Sequence, residues 1–248
     1  MEQDISKRIA VITGAARGIG RCIAENLMNK GVKVYCLDVL EVQISGMNFY
    51  HCDIRDEKSV ERFFKNLSLE EACIDWLINC AGIICCKELN YVRDLSLAEW
   101  REVIDVNLTG TFISSKYAIP LLAKSNCGNI INLSSDKVYI PKVGNAPYSV
   151  SKAGIEMLSK ILAAELLNNK IRVNCIAMSS VRTDFIREYI NNDTLFNSMM
   201  SDTNRKMPYG LIEPADVCEV VWFLLSNSKI VGQTILLDSG VIIESWYD

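Results

Sequence analysis

One histidine, His51, stands in 248 residues, and that scarcity removes several chemistries at once. A Ser-His-Asp hydrolase would have to use this single imidazole, and no Gly-x-Ser-x-Gly elbow accompanies it. A zinc site would need thiolate partners, yet the chain has no Cys-x-x-Cys pair, so no metal is expected. His51 itself follows an expected strand and reads as a loop or strand-end residue. Long apolar runs are absent too: the longest, such as Val220 to Leu225, fall far short of a membrane span. The opening residues mix charges of both signs, with no apolar run behind them to act as a secretory signal. There is no excess of positive charge to suggest nucleic acid, the net charge being -4. Half the residues are hydrophobic, which argues against disorder.

No repeat, linker or low-complexity stretch divides the chain, so one domain over residues 1–248 is expected. The cysteines number ten, scattered and mostly in apolar segments (Cys22, Cys36, Cys73, Cys80, Cys175, Cys218). Buried reduced thiols explain that pattern better than disulfides, and a cytoplasmic protein is expected. Cys85-Cys86 is the one local cluster, and a neighbouring-thiol redox device there stays open.

Apolar strand-like runs alternate with helical patterns throughout. That alternation predicts an α/β fold with one doubly wound parallel sheet of about seven strands and helices on both faces. Strands are expected near 8–13, 32–37, 47–51, 74–80, 129–134, 171–177 and 233–237. Helices are expected near 18–30, 56–67, 99–124, 149–168 and 214–226. The polar, Asn- and Met-rich stretch 184–208 interrupts the alternation and is a candidate substrate lid; an insertion without a gating role is the plainer alternative.

Lys7 to Thr13 is a short β-branched run of buried-strand length, followed by Gly14-Ala15-Ala16-Arg17-Gly18-Ile19-Gly20 and a helical pattern that Gly31 would stop. Strand, glycine turn and helix in that order suit a dinucleotide: glycines admit the pyrophosphate close to the backbone, at the positive end of a helix. The second strand ends at Asp38, eighteen residues beyond Gly20. A carboxylate there can accept hydrogen bonds from the adenosine ribose hydroxyls and repels a 2′-phosphate.

Tyr148 and Lys152 stand four residues apart, one helical turn on the same face, with Ser135 thirteen residues before the tyrosine. An ammonium beside a phenol favours the phenolate, and should pull the tyrosine down from its ordinary pKa of about 10 toward acid–base work. A surface tyrosine and lysine sharing a helix face would give the same spacing, so the pair gains meaning only from the rest of the chain.

Together these residues resemble the short-chain dehydrogenase/reductase superfamily, of the NAD(H)-binding kind. The resemblance runs from Thr13-Gly14-x3-Gly18-Ile19-Gly20 through Asp38, Asp53-Ile54, Asn79-Cys80-Ala81-Gly82, Asn107, Ser135 and Tyr148-x3-Lys152 to Ile171-Arg172-Val173-Asn174 and Thr183. It implies a Rossmann-type fold and hydride transfer between NAD(H) and the carbinol or carbonyl carbon of a small alcohol or ketone, cyclic ones included. Gly14, Arg17, Gly18, Ile19 and Gly20 would surround the pyrophosphate, and Asp38 the adenosine ribose. Asp53 would bond the adenine amino group with Ile54 beside the ring, although Asp53 could instead cap the next helix. Asn79, Ala81 and Gly82 would line the adenosine half, although Asn79 could instead satisfy buried backbone. Val181 and Thr183 would anchor the carboxamide. Tyr148 would be the acid or base, Lys152 its modulator and a ribose ligand, Ser135 the holder of the substrate oxygen, and Asn107 the holder of a relay water. A homotetramer or homodimer packed through the helices near 99–124 and 149–168 is likewise implied by the family.

Several positions depart from the family pattern. Met178-Ser179 replaces the usual Pro-Gly after the sixth strand, Asp238-Ser239-Gly240 replaces Asp-Gly-Gly, and the link Val39 to Gly46 is too short for a helix. The stretch Ser135-Asp136-x4-Pro141-Lys142-x-Gly144 is similar to 2,3-dihydro-2,3-dihydroxybenzoate dehydrogenases. The lining would come from Ile83 to Tyr91, Asp136 to Asn145 and 184–208. Lys87, Lys142, Arg182 and Arg187 could meet a substrate carboxylate, or be ordinary solvated side chains; β-ketoacyl and sugar-alcohol substrates stay open. A non-catalytic NAD-binding regulatory or structural member is the alternative, and an epimerase or dehydratase is disfavoured by the glycine spacing.

Overall fold

The computed structural model describes residues 5–42, 46–84, 91–183, 201 and 207–244. Seven strands form one sheet: β1 (Ile9–Thr13), β2 (Lys33–Asp38), β3 (Asn48–His51), β4 (Trp76–Asn79), β5 (Asn129–Ser135), β6 (Arg172–Met178) and β7 (Thr234–Leu237). Their order is β3-β2-β1-β4-β5-β6-β7, and every pairing is parallel. Among the described residues the helices include α1 (Gly18–Asn29), α2 (Glu57–Glu70), α3 (Leu97–Ile104), α4 (Gly110–Leu122), α5 (Ala146–Glu165) and α6 (Pro214–Ser226). No described helix is long and apolar enough to cross a membrane.

Strand periodicity divides the core in two. Ala10, Ile12, Ile78 and Ile131 face one way, against Ile23, Ala24 and Leu27 of α1 and Val217, Val221 and Leu224 of α6. Val11, Leu77, Ile130 and Val173 face the other, against Val60, Phe63 and Phe64 of α2, Ile113 and Leu121 of α4, and Leu162 of α5. A sheet covered on both faces needs strands apolar on both sides, which is why adjacent residues such as Ala10, Val11 and Ile12 of β1 and Trp76, Leu77 and Ile78 of β4 are all apolar and buried. The expected stop at Gly31 is present: at φ +89 its N–H bonds Met28 O while that of Val32 bonds Leu27 O, satisfying two terminal carbonyls of α1.

One expected element needs correction. The helix read as 99–124 is not continuous: Asp105–Thr109 forms a π segment, in which the N–H of Gly110 reaches back five residues to Asp105 O. A seam of this kind inside a helix often marks a functional site. Its local cause is visible. The Asn107 amide is tied to the backbone of Ile83, and a Cβ on Gly110 would lie 2.5 Å from Ile54 Cδ1, so the helix enters α4 around a packed side chain.

Strand order places the site. The chain leaves β1 for β2 on one side and returns through β4 on the other, so β1 and β4 flank a topological switch point, where open α/β sheets hold ligands beyond the strand carboxyl ends. Gly14 follows β1 there, and Cys80-Ala81-Gly82 follows β4. Residues 39–42 hold no helix, in keeping with the short β2–β3 link.

Candidate active site

The turn after β1 is built for close approach. Gly14 adopts φ +67, and a Cβ there would lie 2.6 Å from Ala81 Cα; one on Gly20 would lie 2.2 Å from Gly14 O. Neither neighbour can yield, because both are backbone. Gly18 differs: its φ is +54, and the nearest atom to a Cβ is Thr183 Cγ2 at 3.7 Å, so it is needed for conformation rather than room. That contact also places Thr183 beside the turn. Arg17, exposed, is the N-cap residue of α1; no side chain caps the helix, and no acidic residue lies in its first turn. An anion of pyrophosphate size thus meets a Cβ-free cradle and the positive end of a helix, and the chain fits a dinucleotide.

Asp38 closes β2 with its carboxylate already oriented, accepting from Ala16 N (2.9 Å) and Leu40 N (3.0 Å). Val39 beside it is exposed and carries no charge. Asp53 grips Arg55 through Nε at 3.0 Å and Nη2 at 2.6 Å, and those bonds hold its carboxyl below the usual range. Helix capping falls to Asp56 instead, which accepts from Lys58 N. Ile54 is buried beneath Gly110.

Beyond β4, Ala81 N donates to Thr13 Oγ1 at 3.2 Å. The Asn79 amide points into the core, donating to Ser115 Oγ (3.2 Å) and Asn132 Oδ1 (2.8 Å). Its side chain serves a buried network joining β4, β5 and α4. A Cβ on Gly82 would lie 3.3 Å from Asn107 Oδ1 and 3.5 Å from Lys152 Nζ, so this glycine links the strand-four turn to the α5 lysine. Asn107 is fully buried. It donates to Ile83 O (2.9 Å) and Ser151 Oγ (3.0 Å) while accepting from Ile83 N (2.8 Å), so its amide is spent holding backbone in place.

Helix α5 begins at Ala146, with Pro147 in its first turn where a missing N–H costs nothing, and presents Tyr148 toward Ser135 and Lys152 toward Leu133 of β5. Lys152 Nζ donates to Leu133 O at 2.9 Å and lies 5.5 Å from the centre of the Tyr148 ring. Here the expected electrostatics are reversed. Burial pushes the Tyr148 phenol up to about 12, the nearby Asp136 charge adding to it and a hydrogen bond with Ser135 opposing it. Burial also pulls Lys152 down to about 8. The sequence shows that the two side chains share a helix face; it does not show how far the fold withdraws them from water, and desolvation is the largest cause of both shifts.

Two acids complete the surroundings of the β5 serines: Asp136, expected only as part of the lining, and Glu156, which the sequence reading missed. Asp136 is buried beside Ser135, accepting the serine hydroxyl at 3.1 Å and Lys137 Nζ at 2.8 Å. Glu156, also buried, accepts from Ser134 Oγ and Tyr139 OH, each at 2.8 Å. A signal existed: the four-residue spacing of Tyr148 and Lys152 carried one more turn to Glu156.

After β6, Met178-Ser179 keeps the turn ordered without proline or glycine. Ser179 N bonds Leu237 O, Val181 bridges Ile212, and Arg182 N bonds Ile212 O at 2.8 Å. Ser239 takes the left-handed φ of +52 that a glycine would adopt without strain. Arg182 pairs with Glu213 at 2.6 Å, and Lys142 is exposed. Cys85, Cys86, Lys87, Arg187 and nearly all of the 184–208 stretch lie outside the described residues.

A family model described as enoyl-(acyl carrier protein) reductase matches residues 14–242. An uncharacterised oxidoreductase of Bacillus subtilis, YxbG, is 32% identical over 98% of this chain and 93% of its own length. The 2,3-dihydro-2,3-dihydroxybenzoate dehydrogenase of the same organism is 27% identical over 96% of this chain and 97% of its own. Among solved structures, the ligand-free aldohexose dehydrogenase of Thermoplasma acidophilum superposes with a TM-score of 0.90 at 28% identity, covering 97% of this chain and 96% of that one.

Proposed function

The chain belongs to the short-chain dehydrogenase/reductase superfamily, and we propose that it transfers a hydride between NAD(H) and the carbinol or carbonyl carbon of a small alcohol or ketone. The observation that carries this reading is the convergence of Ser135, Tyr148 and Lys152 from β5 and α5, with Lys152 Nζ 3.5 Å from where a Cβ on Gly82 would lie. Gly14, Arg17, Gly18, Ile19 and Gly20 would hold the pyrophosphate, Asp38 the adenosine ribose, and Asp53 and Ile54 the adenine, with Arg55 released from or steering the Asp53 carboxylate. Ala81 and Gly82 would line the adenosine side through backbone, Asn79 bracing them from the core. Val181 and Thr183 would receive the carboxamide.

When bound, the nicotinamide supplies the hydride chemistry, and the protein supplies position and proton transfer. A phenol raised to about 12 is protonated at neutral pH, so Tyr148 stands ready to donate a proton to a carbonyl oxygen. In alcohol oxidation it must accept one, and an ammonium at Lys152 favours that phenolate once it turns from Leu133 O. Ser135 would hold the substrate oxygen by rotating its hydroxyl away from Asp136. Asn107 would keep the Ile83 backbone and Ser151 of α5 in register for the relay of protons beyond Lys152, where the family places a water.

NAD(H) over NADP(H) follows from Asp38. Its carboxylate is pinned where a 2′-phosphate would have to sit, and a carboxylate facing a phosphate in a partly desolvated site is costly. A homo-oligomer, dimer or tetramer, accords with the exposed apolar side chains Phe112, Val150, Met157 and Ile161 on α4 and α5.

The test is a panel of sugars, polyols, cyclic diols and β-ketoesters assayed at the NADH absorbance band with both cofactors. The expected result is NADH-linked turnover that Tyr148→Phe lowers by ~10²–10⁴, typical of a lost acid–base group, with NADH affinity kept. Unaltered turnover in that variant removes the assigned role. NADH binding with no turnover on any substrate would favour a regulatory member.

A further inference from the structure

Helices α1 and α6 meet on the face of the sheet that carries the glycine turn, and at their contact two thiols lie side by side. Cys218 Sγ donates to Cys22 Sγ at 3.4 Å, across 196 positions of sequence. Both residues are free thiols; Cys218 is buried and Cys22 is partly open to solvent. Isolated buried cysteines fill space as small hydrophobes, and so do most of the others here. Among the described cysteines this pair differs in having a second thiol at contact distance and a route for a small oxidant. We propose that Cys22 and Cys218 form a reversible disulfide that tethers α1 to α6 and weakens dinucleotide binding at the glycine turn.

The division of labour follows from the geometry. Cys22 is partly open to solvent and Cys218 is buried, so Cys22 meets the reagent first and is the attacking thiol. With a low-molecular-weight disulfide as oxidant, the Cys22 thiolate forms a bond to one of its sulfurs and expels the other as a thiolate. Cys218 then loses its proton to solvent and attacks Cys22 Sγ, expelling the second thiol. Two protein thiols are oxidised and one small disulfide is reduced to two thiols. Burial holds the Cys218 thiol up at about 12, which makes the second step the slow one.

The consequence for binding rests on the proposed dinucleotide site. A disulfide requires sulfurs ~2.05 Å apart, so the pair must close by more than an ångström. Cys22 lies two residues beyond Gly20, which packs so closely on the glycine turn that a Cβ there would lie 2.2 Å from Gly14 O. Movement at the start of α1 therefore passes into the turn rather than being absorbed. Cys80, at the end of β4, is within electrostatic reach of Cys218 and is the natural competitor.

The experiment exposes the full-length reduced protein to oxidised glutathione, blocks remaining thiols with N-ethylmaleimide, and reads intact mass, linked peptides and NADH affinity. The expected product has lost two hydrogens and yields one peptide joining Cys22 to Cys218, reversed by dithiothreitol. NADH affinity should fall ~5-fold or more, the lower end of ordinary coupling between sites. Cys218→Ser should stop at a mixed disulfide on Cys22, with Cys22→Ser showing neither product. A linkage through Cys80, or only mixed disulfides in the wild type, overturns the pairing; a Cys22–Cys218 link with unchanged NADH affinity overturns the coupling. Reduced protein that fails to bind NADH would sink the dinucleotide reading instead, while the mass and peptide readouts still decide the thiol pair.

Discussion

Lys152→Met should make the protein more stable while ending its chemistry. The lysine is 6% exposed, and burial lowers its pKa from 10.5 to about 8. At ~1.4 kcal/mol per pH unit, holding that ammonium inside costs roughly 3 kcal/mol at neutral pH. Methionine has nearly the same length without the charge, and gives up one hydrogen bond to Leu133 O worth ~1 kcal/mol. The net gain is therefore about 2 kcal/mol, a rise in Tm of ~4–8 °C for a chain of this size. The sign of the pH dependence is determined. With the folded pKa below the unfolded one, the unfolded chain binds more protons between about 8 and 10.5, so the lysine's penalty is full below about 8 and fades as pH rises through that window. Urea unfolding of both proteins, followed by tryptophan fluorescence at pH 7 and pH 10, should show the advantage of the variant shrinking toward zero. A variant less stable than wild type at pH 7, or an advantage unchanged at pH 10, would refute the claim that Lys152 is held at a cost to the fold. Functional sites commonly carry such a cost.

The glycine turn separates room from conformation. Gly20→Ala meets backbone at 2.2 Å and should cost ~3 kcal/mol or more by overpacking, whereas Gly18→Ala should cost only the ~1–2 kcal/mol of a left-handed residue; thermal melts of the two variants decide it. Ser239→Gly removes a strained positive φ and should stabilise by ~1 kcal/mol in the same assay, no change indicating that Ser239 is unstrained. Asp38→Asn removes the anchored carboxylate, so the ratio of NADPH to NADH turnover should rise ~10-fold or more, equivalent to ~1.4 kcal/mol of relieved repulsion; an unmoved ratio would locate cofactor choice elsewhere.

Covalent order alone sufficed for the architecture. Alternating apolar runs and helical patterns place seven strands to within one or two residues, because a sheet buried on both faces imposes a pattern that loops cannot imitate. Glycine spacing likewise marks the turn after β1, and a four-residue interval puts Tyr148 and Lys152 on one helical face, because both features are local. What tertiary structure decided is everything that depends on neighbours distant in the chain. The π seam at Asn107 arises from its grip on Ile83; Asn79 turns inward to Ser115 and Asn132; Asp53 is claimed by Arg55; Cys22 meets Cys218. The direction of the Tyr148 and Lys152 shifts belongs to the same class. A one-dimensional pattern tells which charges are close along a helix, but the dielectric around them is set by the packing of β5, α5 and the strand-four turn, and only the folded chain determines that.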